Sequence, residues 1–415
     1  MDTEHSVSEG APHPQEARRY MNLSDLKRNA YVWRGFGLFH GFHRKRGYMR
    51  WWHSFSGIHE ETGESRTFFV EYYVINPGLG GDRPILGRHP YYRKRGMKPS
   101  YIMIKAGAFP GQDGQPGRQL HAFYPICALN TTGSPLVMQV EDCMYREDRI
   151  SGRVEVTPEE AAHRSLMSDP GVMEWDLEVH KAVSCHTGFL AGPLFQALNA
   201  LDSYWHGEGI RSFFRGTVTL DGETYRVSAD TSYGYADKHW GRSFNKPWMQ
   251  LACCRLTSAH TGRELRHSVL AVSSCCPRFF FLPLRRRLLI QLTYTGEDFE
   301  FGLNSQFLFT KCRWSARENG KRFIWHITAG NRTHLIKISG TCTKDRMLKL
   351  KYESPDAAKA RGPLWAGGSG IGTIEIYRLT KNGRELLDTL RMDDALCEYR
   401  GQTLKIQPKT ARPRG

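Results

Sequence analysis

The chain has 415 residues, of which 40% are hydrophobic and 12% aromatic, with 41 glycines and 20 prolines. At about 150 residues per domain, this length suggests two or three domains. The aromatic and glycine-rich composition favours a β-rich protein with many turns. No apolar run reaches the roughly 20 residues that a membrane-spanning helix needs, so no such helix is predicted.

The formal net charge of +16 has two interpretations. It indicates either a docking face for anionic partners or basic residues dispersed over a soluble surface. No nucleic-acid motif accompanies the charge, so we predict no nucleic-acid partner. The 10 cysteines follow an N-terminus without an apolar signal segment, which favours free thiols and a cytoplasmic location. The 17 histidines are scattered and form no clear ligand triad, so no metal site is predicted.

In chain order, residues 1–25 are polar and lack a periodic apolar pattern, which predicts a disordered N-terminus. Residues 26–190 are predicted to form a first β domain, with a hairpin of strands at 50–55 and 67–75. Residues 192–204 are the one good helix candidate, because apolar residues recur there at a spacing of three.

Residues 191–400 are predicted to form a second β domain, and the basic tail 401–415 is expected to be disordered. Asp221-Gly222 lies between two strand-like runs and fits a tight hairpin turn. Many short strands with turn signals about every 8 to 12 residues are typical of barrels or sandwiches. The predicted fold class is therefore all-β, with two antiparallel barrel or sandwich halves and few short helices.

The most informative segment mixes ionisable groups with aromatic ones around position 237. An extended backbone would place Tyr235, Asp237 and His239 on one face. If that face looks into an apolar barrel, the carboxyl loses solvation and its pKa rises. A carboxylic acid that keeps its proton can donate it to an alkene or a carbonyl. The alternative interpretation is a strand-end network that fixes a loop and has no catalytic role.

Residues 235–241 have the sequence Tyr-Ala-Asp-Lys-His-Trp-Gly, with Ser243-Phe244 and Trp248 following. This resembles the Y-A-E-K-N-W-G signature of the tocopherol cyclase family. Further patches that resemble the family in the same order along the chain are 48–55, 68–77, 205–222 and 370–377.

The resemblance implies a lipocalin-like double barrel and acid catalysis on a prenyl chain, without a metal or other cofactor. In tocopherol cyclases, protonation of a prenyl double bond lets a phenol close a chromanol ring, and related carotenoid hydratases protonate an alkene. By analogy Asp237 would be the proton donor, Tyr235 would orient it, and His239 would be a partner or base. The residues expected to line the ligand site are Trp51, Trp52, Trp205, His206, Trp240 and Trp248.

These features predict an enzyme that protonates an alkene of a hydrophobic, isoprenoid-type substrate in a barrel cavity and thereby cyclises or hydrates it. Asp237 and His239 stand where the family has Glu and Asn, so we expect a substrate other than a tocopherol precursor. Two alternatives remain open. The same cavity could serve a non-catalytic lipid carrier, or a filled core could mark a structural protein.

Residues 278–290 combine three consecutive phenylalanines with four arginines. This composition fits peripheral contact with an anionic membrane, from which an apolar ligand could be collected. The alternative is a buried strand, a basic turn and a second strand.

Overall fold

We describe the fold from a computed structural model of the chain. The residues described are 47–111, 114–132, 135–186, 203–232, 234–242, 248–275, 278–279, 282–283, 287–301, 310–357 and 363–401. The ends predicted to be disordered, 1–25 and 401–415, lie outside these ranges except for Gly401. The helix predicted at 192–204 also lies outside them, apart from its last two positions, which begin a strand.

The first sheet has twelve strands, ordered β4-β3-β2-β1-β11-β10-β9-β8-β7-β6-β5, with β12 paired to both β1 and β10. Neighbouring strands are antiparallel throughout the sheet. The strands are β1 (Tyr48–His59), β2 (Ser65–Ile75), β3 (Tyr101–Ala108), β4 (Arg118–Tyr124), β5 (Asn130–Thr132), β6 (Val137–Val140), β7 (Cys143–Arg146), β8 (Arg149–Val156), β9 (Gly171–His186), β10 (Ser203–Leu220), β11 (Glu223–Val227) and β12 (Gly234–Gly241).

The second sheet has eleven strands, and its main path runs β19-β18-β15-β13-β25-β24-β22-β21-β20. Strand β14 pairs with β25, β23 pairs with β24, and β16 and β17 form a separate two-stranded sheet. The strands are β13 (Trp248–Cys253), β14 (Arg255–Ser258), β15 (Val269–Cys275), β16 (Arg278–Phe279), β17 (Leu282–Pro283), β18 (Arg287–Tyr294), β19 (Glu297–Phe301), β20 (Lys311–Asn319), β21 (Arg322–Gly330), β22 (His334–Thr343), β23 (Leu348–Leu350), β24 (Leu364–Thr380) and β25 (Gly383–Arg400).

Two short α-helices lie among the described residues, α1 (Pro90–Lys94) and α2 (Pro158–Ala162). The predicted hairpin turn is confirmed, because Asp221 and Gly222 join β10 to β11 with φ of 52° and 90°. Positive φ at both central residues is what a type I′ turn requires. The chain changes sheet between residues 241 and 248. The sequence placed a domain boundary near 190, and this boundary stays a prediction. Strands β10 to β12, which follow it, pair within the first sheet.

Three buried apolar clusters show how the two sheets are arranged. One cluster draws on strands all along the first sheet, which wraps around it, and another lies inside the second sheet in the same way. The remaining cluster joins side chains of both sheets and lies between them. The predicted all-β class with two barrel-like antiparallel halves is therefore confirmed. The layer between the halves contains the polar groups described next.

Candidate active site between the two sheets

Strand β12 has both edges paired, to β1 and β10, and both faces buried, because an apolar cluster packs on each side. Its side chains alternate between two environments. Tyr235 belongs to the cluster between the sheets, whereas Trp240 belongs to the core of the first sheet. Asp237 and His239 share the face of Tyr235, as the sequence predicted. The carboxyl of Asp237 therefore lies between the two barrel-like halves. The sequence led us to expect it inside one of them.

One oxygen of the Asp237 carboxyl accepts three hydrogen bonds. Its Oδ2 lies 2.7 Å from the Tyr235 hydroxyl, 3.0 Å from Trp205 Nε1 and 3.1 Å from Gln250 Nε2. Gln250 comes from β13 of the second sheet, so both halves of the molecule hold this oxygen. The other oxygen, Oδ1, is buried and has no hydrogen-bond partner within the described part of the chain. Among the described residues, the carboxyl thus has one oxygen held by three hydrogen bonds and one oxygen without a hydrogen-bond partner.

Burial is the main cause that raises the pKa of Asp237 above its usual value. The nearby Arg50 guanidinium acts in the opposite direction, and the Glu398 carboxylate raises the pKa further. The hydrogen bonds from Tyr235 and Trp205 lower the pKa, because they stabilise the charged form. Burial prevails, so Asp237 keeps its proton to higher pH than an exposed aspartate does.

A buried ion network adjoins the carboxyl and was not predicted from the sequence. Arg50 contacts Glu398 at 2.8 Å and Glu71 at 3.2 Å, and Lys105 lies 3.3 Å from Glu71. The Tyr352 hydroxyl donates to Glu71 at 2.7 Å. A sequence signal for this network existed, because Glu71 interrupts an otherwise apolar and aromatic strand. Such a charge is buried only when it is paired, since an unpaired one costs several kcal/mol.

His239 lies beside Tyr48, with Nδ1 2.8 Å from the tyrosine hydroxyl. Its ring is 4.7 Å from the Trp248 ring, centroid to centroid. Burial and the Arg50 charge lower the pKa of His239 well below its usual value. The imidazole is therefore neutral near pH 7. A neutral imidazole can act as a hydrogen-bonding partner or as a weak base, and it carries no positive charge.

The six side chains predicted to bind ligand divide between two faces. Trp52, Trp205 and Trp248 lie in the layer between the sheets with Asp237. The indole of Trp248 donates to Glu398 at 2.6 Å, and Trp52 stacks on Phe69 at 4.9 Å. The side chains that face the interior of the first sheet instead are Trp51, Trp240 and His206.

Trp51 and Trp240 lie on the opposite face because β-strand side chains alternate. The Nζ of Lys238 is 4.6 Å from the Trp51 ring centroid and 5.1 Å from that of Trp240. His206 is the register partner of Lys238 and shares its face. These three predicted residues are therefore separated from Asp237 by the sheet itself.

A small cavity of about 20 Å³ opens beside Tyr235, with walls from both sheets. That volume has room for about one water molecule. Side chains of the first sheet at this cavity include Ser54, Ser56 and Ile210, and Cys254 and Leu396 contribute from the second. The cavity places a water-sized space next to Tyr235, the residue whose hydroxyl donates to Asp237.

Within the described ranges, no group of three or more His, Cys, Asp or Glu could hold a metal ion. No helix in the part of the chain that the structure describes is long and apolar enough to cross a membrane.

The fold and site define a β protein of two packed barrel-like halves with a buried acid between them. Residues 208–366 match the family model described as Tocopherol cyclase-like, which confirms the predicted resemblance over that part of the chain. The matched range includes Asp237 and most of β10. The match supports the prediction that the protein is an enzyme.

A solved structure that is similar is kievitone hydratase from Nectria haematococca, at 10% identity and a TM-score of 0.41. The similarity covers 89% of this chain and 91% of that one. No curated protein sequence matches this chain.

Proposed function

We propose that the protein is an acid-catalysing enzyme that protonates an alkene of a hydrophobic, isoprenoid-type substrate and cyclises or hydrates it. The single observation that carries the proposal is the buried Asp237 carboxyl, with Oδ2 held by three donors and Oδ1 unbonded within the described residues. Burial raises the pKa of this carboxyl, and a protonated carboxyl is the form that alkene protonation requires.

The reaction begins with transfer of the proton from Asp237 Oδ1 to one alkene carbon. The π electron pair forms the new C–H bond, and the other carbon becomes a tertiary carbocation. A lone pair of a substrate phenol oxygen or of water then forms the C–O bond. The proton released by that oxygen restores the acid at Asp237, so the acid is not consumed.

The donors around Asp237 stabilise the intermediate state of this cycle. After proton transfer the carboxylate carries a negative charge, which Tyr235, Trp205 and Gln250 already face with hydrogen-bond donors. Donors that are in place before the charge forms need no reorganisation during the reaction. The indole of Trp205, fixed by its bond to Asp237, can also face the carbocation with its π electrons.

Substrate binding requires a wider space than the cavity beside Tyr235. Ligand pockets commonly have about 300–1,000 Å³, whereas this cavity has about 20 Å³. We therefore propose that the side chains between the two sheets rearrange when a prenyl chain enters. The water-sized space next to Tyr235 would hold the nucleophile of a hydration reaction.

The test compares wild-type protein with Asp237→Asn in D₂O, using a panel of prenylated phenols and unconjugated isoprenoid alkenes. We expect the wild type to add one deuterium to the former alkene carbon, with either ring closure or gain of one water. Asp237→Asn keeps the shape of the side chain but has no acid proton, so product formation should be lost.

The matched control is Asp388→Asn, which changes another buried aspartate that accepts a hydrogen bond from Tyr294 at 3.1 Å in the second half. This variant should keep wild-type turnover. Equal turnover in wild type and Asp237→Asn would contradict the catalytic role. Recovery of unchanged ligand alone, across the whole panel, would favour a carrier.

A further inference from the structure

A basic surface segment follows strand β2 and precedes β3. Residues 88–98, which we call the basic segment, contain five Arg or Lys and no Asp or Glu. Most of the segment is exposed, and helix α1 within it buries none of its residues. Charges of one sign that are concentrated over eleven positions form a local positive field that attracts anionic surfaces.

The basic segment is fixed to the second half of the molecule at both ends. Arg88 donates to the backbone oxygen of Tyr352 at 3.0 Å, and Lys98 Nζ donates to that of Asp356 at 2.7 Å. The backbone NH of Gly87, next to the segment, donates to Glu353 at 3.1 Å. The segment is therefore anchored at the junction of the two halves, and Arg93, Lys94 and Arg95 between the anchors are exposed.

The centre of the basic segment presents amphipathic side chains together with cations. Tyr91 is 51% exposed and Met97 is 36% exposed, which places both among the few exposed large hydrophobic residues of the described chain. The Arg95 guanidinium lies 3.7 Å from the centroid of the Tyr91 ring. Arg93 and Lys94 are exposed beside them. A tyrosine and a methionine that are exposed next to several cations have the side-chain chemistry that suits a bilayer interface.

We propose that the basic segment docks the protein on an anionic lipid bilayer. Its cations contact the headgroup phosphates and carboxylates, and Tyr91 and Met97 enter the region between headgroups and acyl chains. Nucleic acid fits the segment less well, because Arg95 covers one face of the Tyr91 ring and Met97 offers nothing to a phosphate or a base edge. This inference does not depend on the catalytic role of Asp237.

The segment differs from residues 278–290, where the sequence predicted a membrane contact. That stretch includes the small sheet of β16 and β17 and the start of β18, and the structure leaves the prediction untested there. The basic segment offers a separate surface whose exposure and anchoring are both visible. Binding at one surface can therefore be tested against binding at the other.

The test measures cosedimentation of the full-length protein with phosphatidylcholine vesicles that contain about 30% phosphatidylserine, at near-physiological salt. Each basic residue at an anionic surface contributes about fivefold to binding, so Arg93→Gln/Lys94→Gln/Arg95→Gln should weaken the apparent affinity about 100-fold. Tyr91→Ala should weaken it by a smaller factor and should not change its salt dependence.

The matched control removes three cations from an exposed hairpin of the second half, as Arg317→Gln/Lys321→Gln/Arg322→Gln. This variant should bind within about threefold of wild type, because loss of distant charge has a screened effect. Three results would overturn the proposal: equal binding to pure phosphatidylcholine vesicles, the same loss in both triple variants, or a loss found only in Arg285→Gln/Arg286→Gln/Arg287→Gln. Tight binding to duplex DNA with none to vesicles would also overturn it.

Discussion

The two faces of strand β12 carry ionisable groups of opposite chemistry in equally buried settings. Asp237 faces the layer between the two halves, and Lys238 faces the interior of the first half. Burial raises the pKa of Asp237 and lowers the pKa of Lys238 to about 7. Both shifts favour the neutral form, because burial penalises charge of either sign.

The surroundings of the two groups differ more than their burial does. Asp237 is held on one oxygen by donors from both halves, and one of these donors, Tyr235, lines a water-sized cavity. Lys238 lies against two indole rings, with the Glu208 carboxylate close enough to oppose the lowering of its pKa. Under the proposed function, proton donation belongs to the face between the halves, and the inner face contributes packing and stability.

The largest expected effect is on turnover, and it distinguishes the two faces of strand β12. Asp237→Asn should lower turnover about 10²–10⁴-fold, the usual contribution of a positioned general acid. Lys238→Met removes an equally buried ionisable group from the opposite face of the strand. It should lower turnover less than about tenfold. Steady-state kinetics on the substrate found in the D₂O screen measure both. A loss of similar size in Lys238→Met would break the distinction between the faces.

The next effect concerns the donors to Asp237 Oδ2. Tyr235→Phe removes the shortest of the three hydrogen bonds, 2.7 Å long, and leaves the conjugate base less stabilised. A hydrogen bond to a charged group contributes about 1.5–3 kcal/mol, so kcat should fall about 10- to 100-fold. Tyr294→Phe removes a hydroxyl that donates to Asp388 in the second half and serves as the control. No change in kcat for Tyr235→Phe would contradict the role of the donors.

The pH dependence of turnover provides a second test of the hydrogen bond from Tyr235 to Asp237. Because the acid form of Asp237 is active, kcat should be constant below its raised pKa and fall as pH increases through that pKa. The bond from Tyr235 lowers the pKa of Asp237, so Tyr235→Phe should move the falling limb to higher pH. A limb that moves to lower pH would contradict this order of effects.

The smallest effect belongs to the inner face and is one of stability. The pKa of Lys238 is about 7 in the folded chain against 10.5 for an ordinary lysine, so between these values only the unfolded chain binds the proton. The free energy of unfolding should therefore increase with pH in this window, by at most about 1.4 kcal/mol per unit for this group.

Lys238→Met should make the pH dependence shallower over that window, while Lys381→Met, at an exposed turn, should leave it unchanged. Urea unfolding at several pH values measures the slope. An unchanged slope in Lys238→Met would show that the lysine does not lose its proton on folding.

The sequence predicted the fold class and the shared face of Tyr235, Asp237 and His239, because both follow from local alternation and turn chemistry. It did not predict that this face lies between two halves. It also missed Gln250, which reaches Asp237 from the next strand but from the other sheet, and the Arg50–Glu71 pair, which comes from strands distant from β12 in the chain. Contacts across sheets depend on strand order, and no local pattern encodes that order.

The position of the tryptophans shows the same limit. Family resemblance grouped Trp51 with Trp52, yet adjacent strand residues face opposite sides. Trp52 lies near the acid and Trp51 lies in the first core. The sequence predicts that side chains alternate between the two faces, but it does not predict which face carries the candidate site.

The protonation state of Asp237 is the quantity on which the proposed chemistry depends most directly. Infrared difference spectra between wild type and Asp237→Asn, recorded across a pH series, isolate the carbonyl stretch of this one carboxyl. We predict a protonated-acid band that persists at pH values where the aspartate side chain of a model peptide is already ionised. A carboxylate signal that appears at the pH at which that model-peptide side chain ionises would contradict the role of Asp237 as the acid.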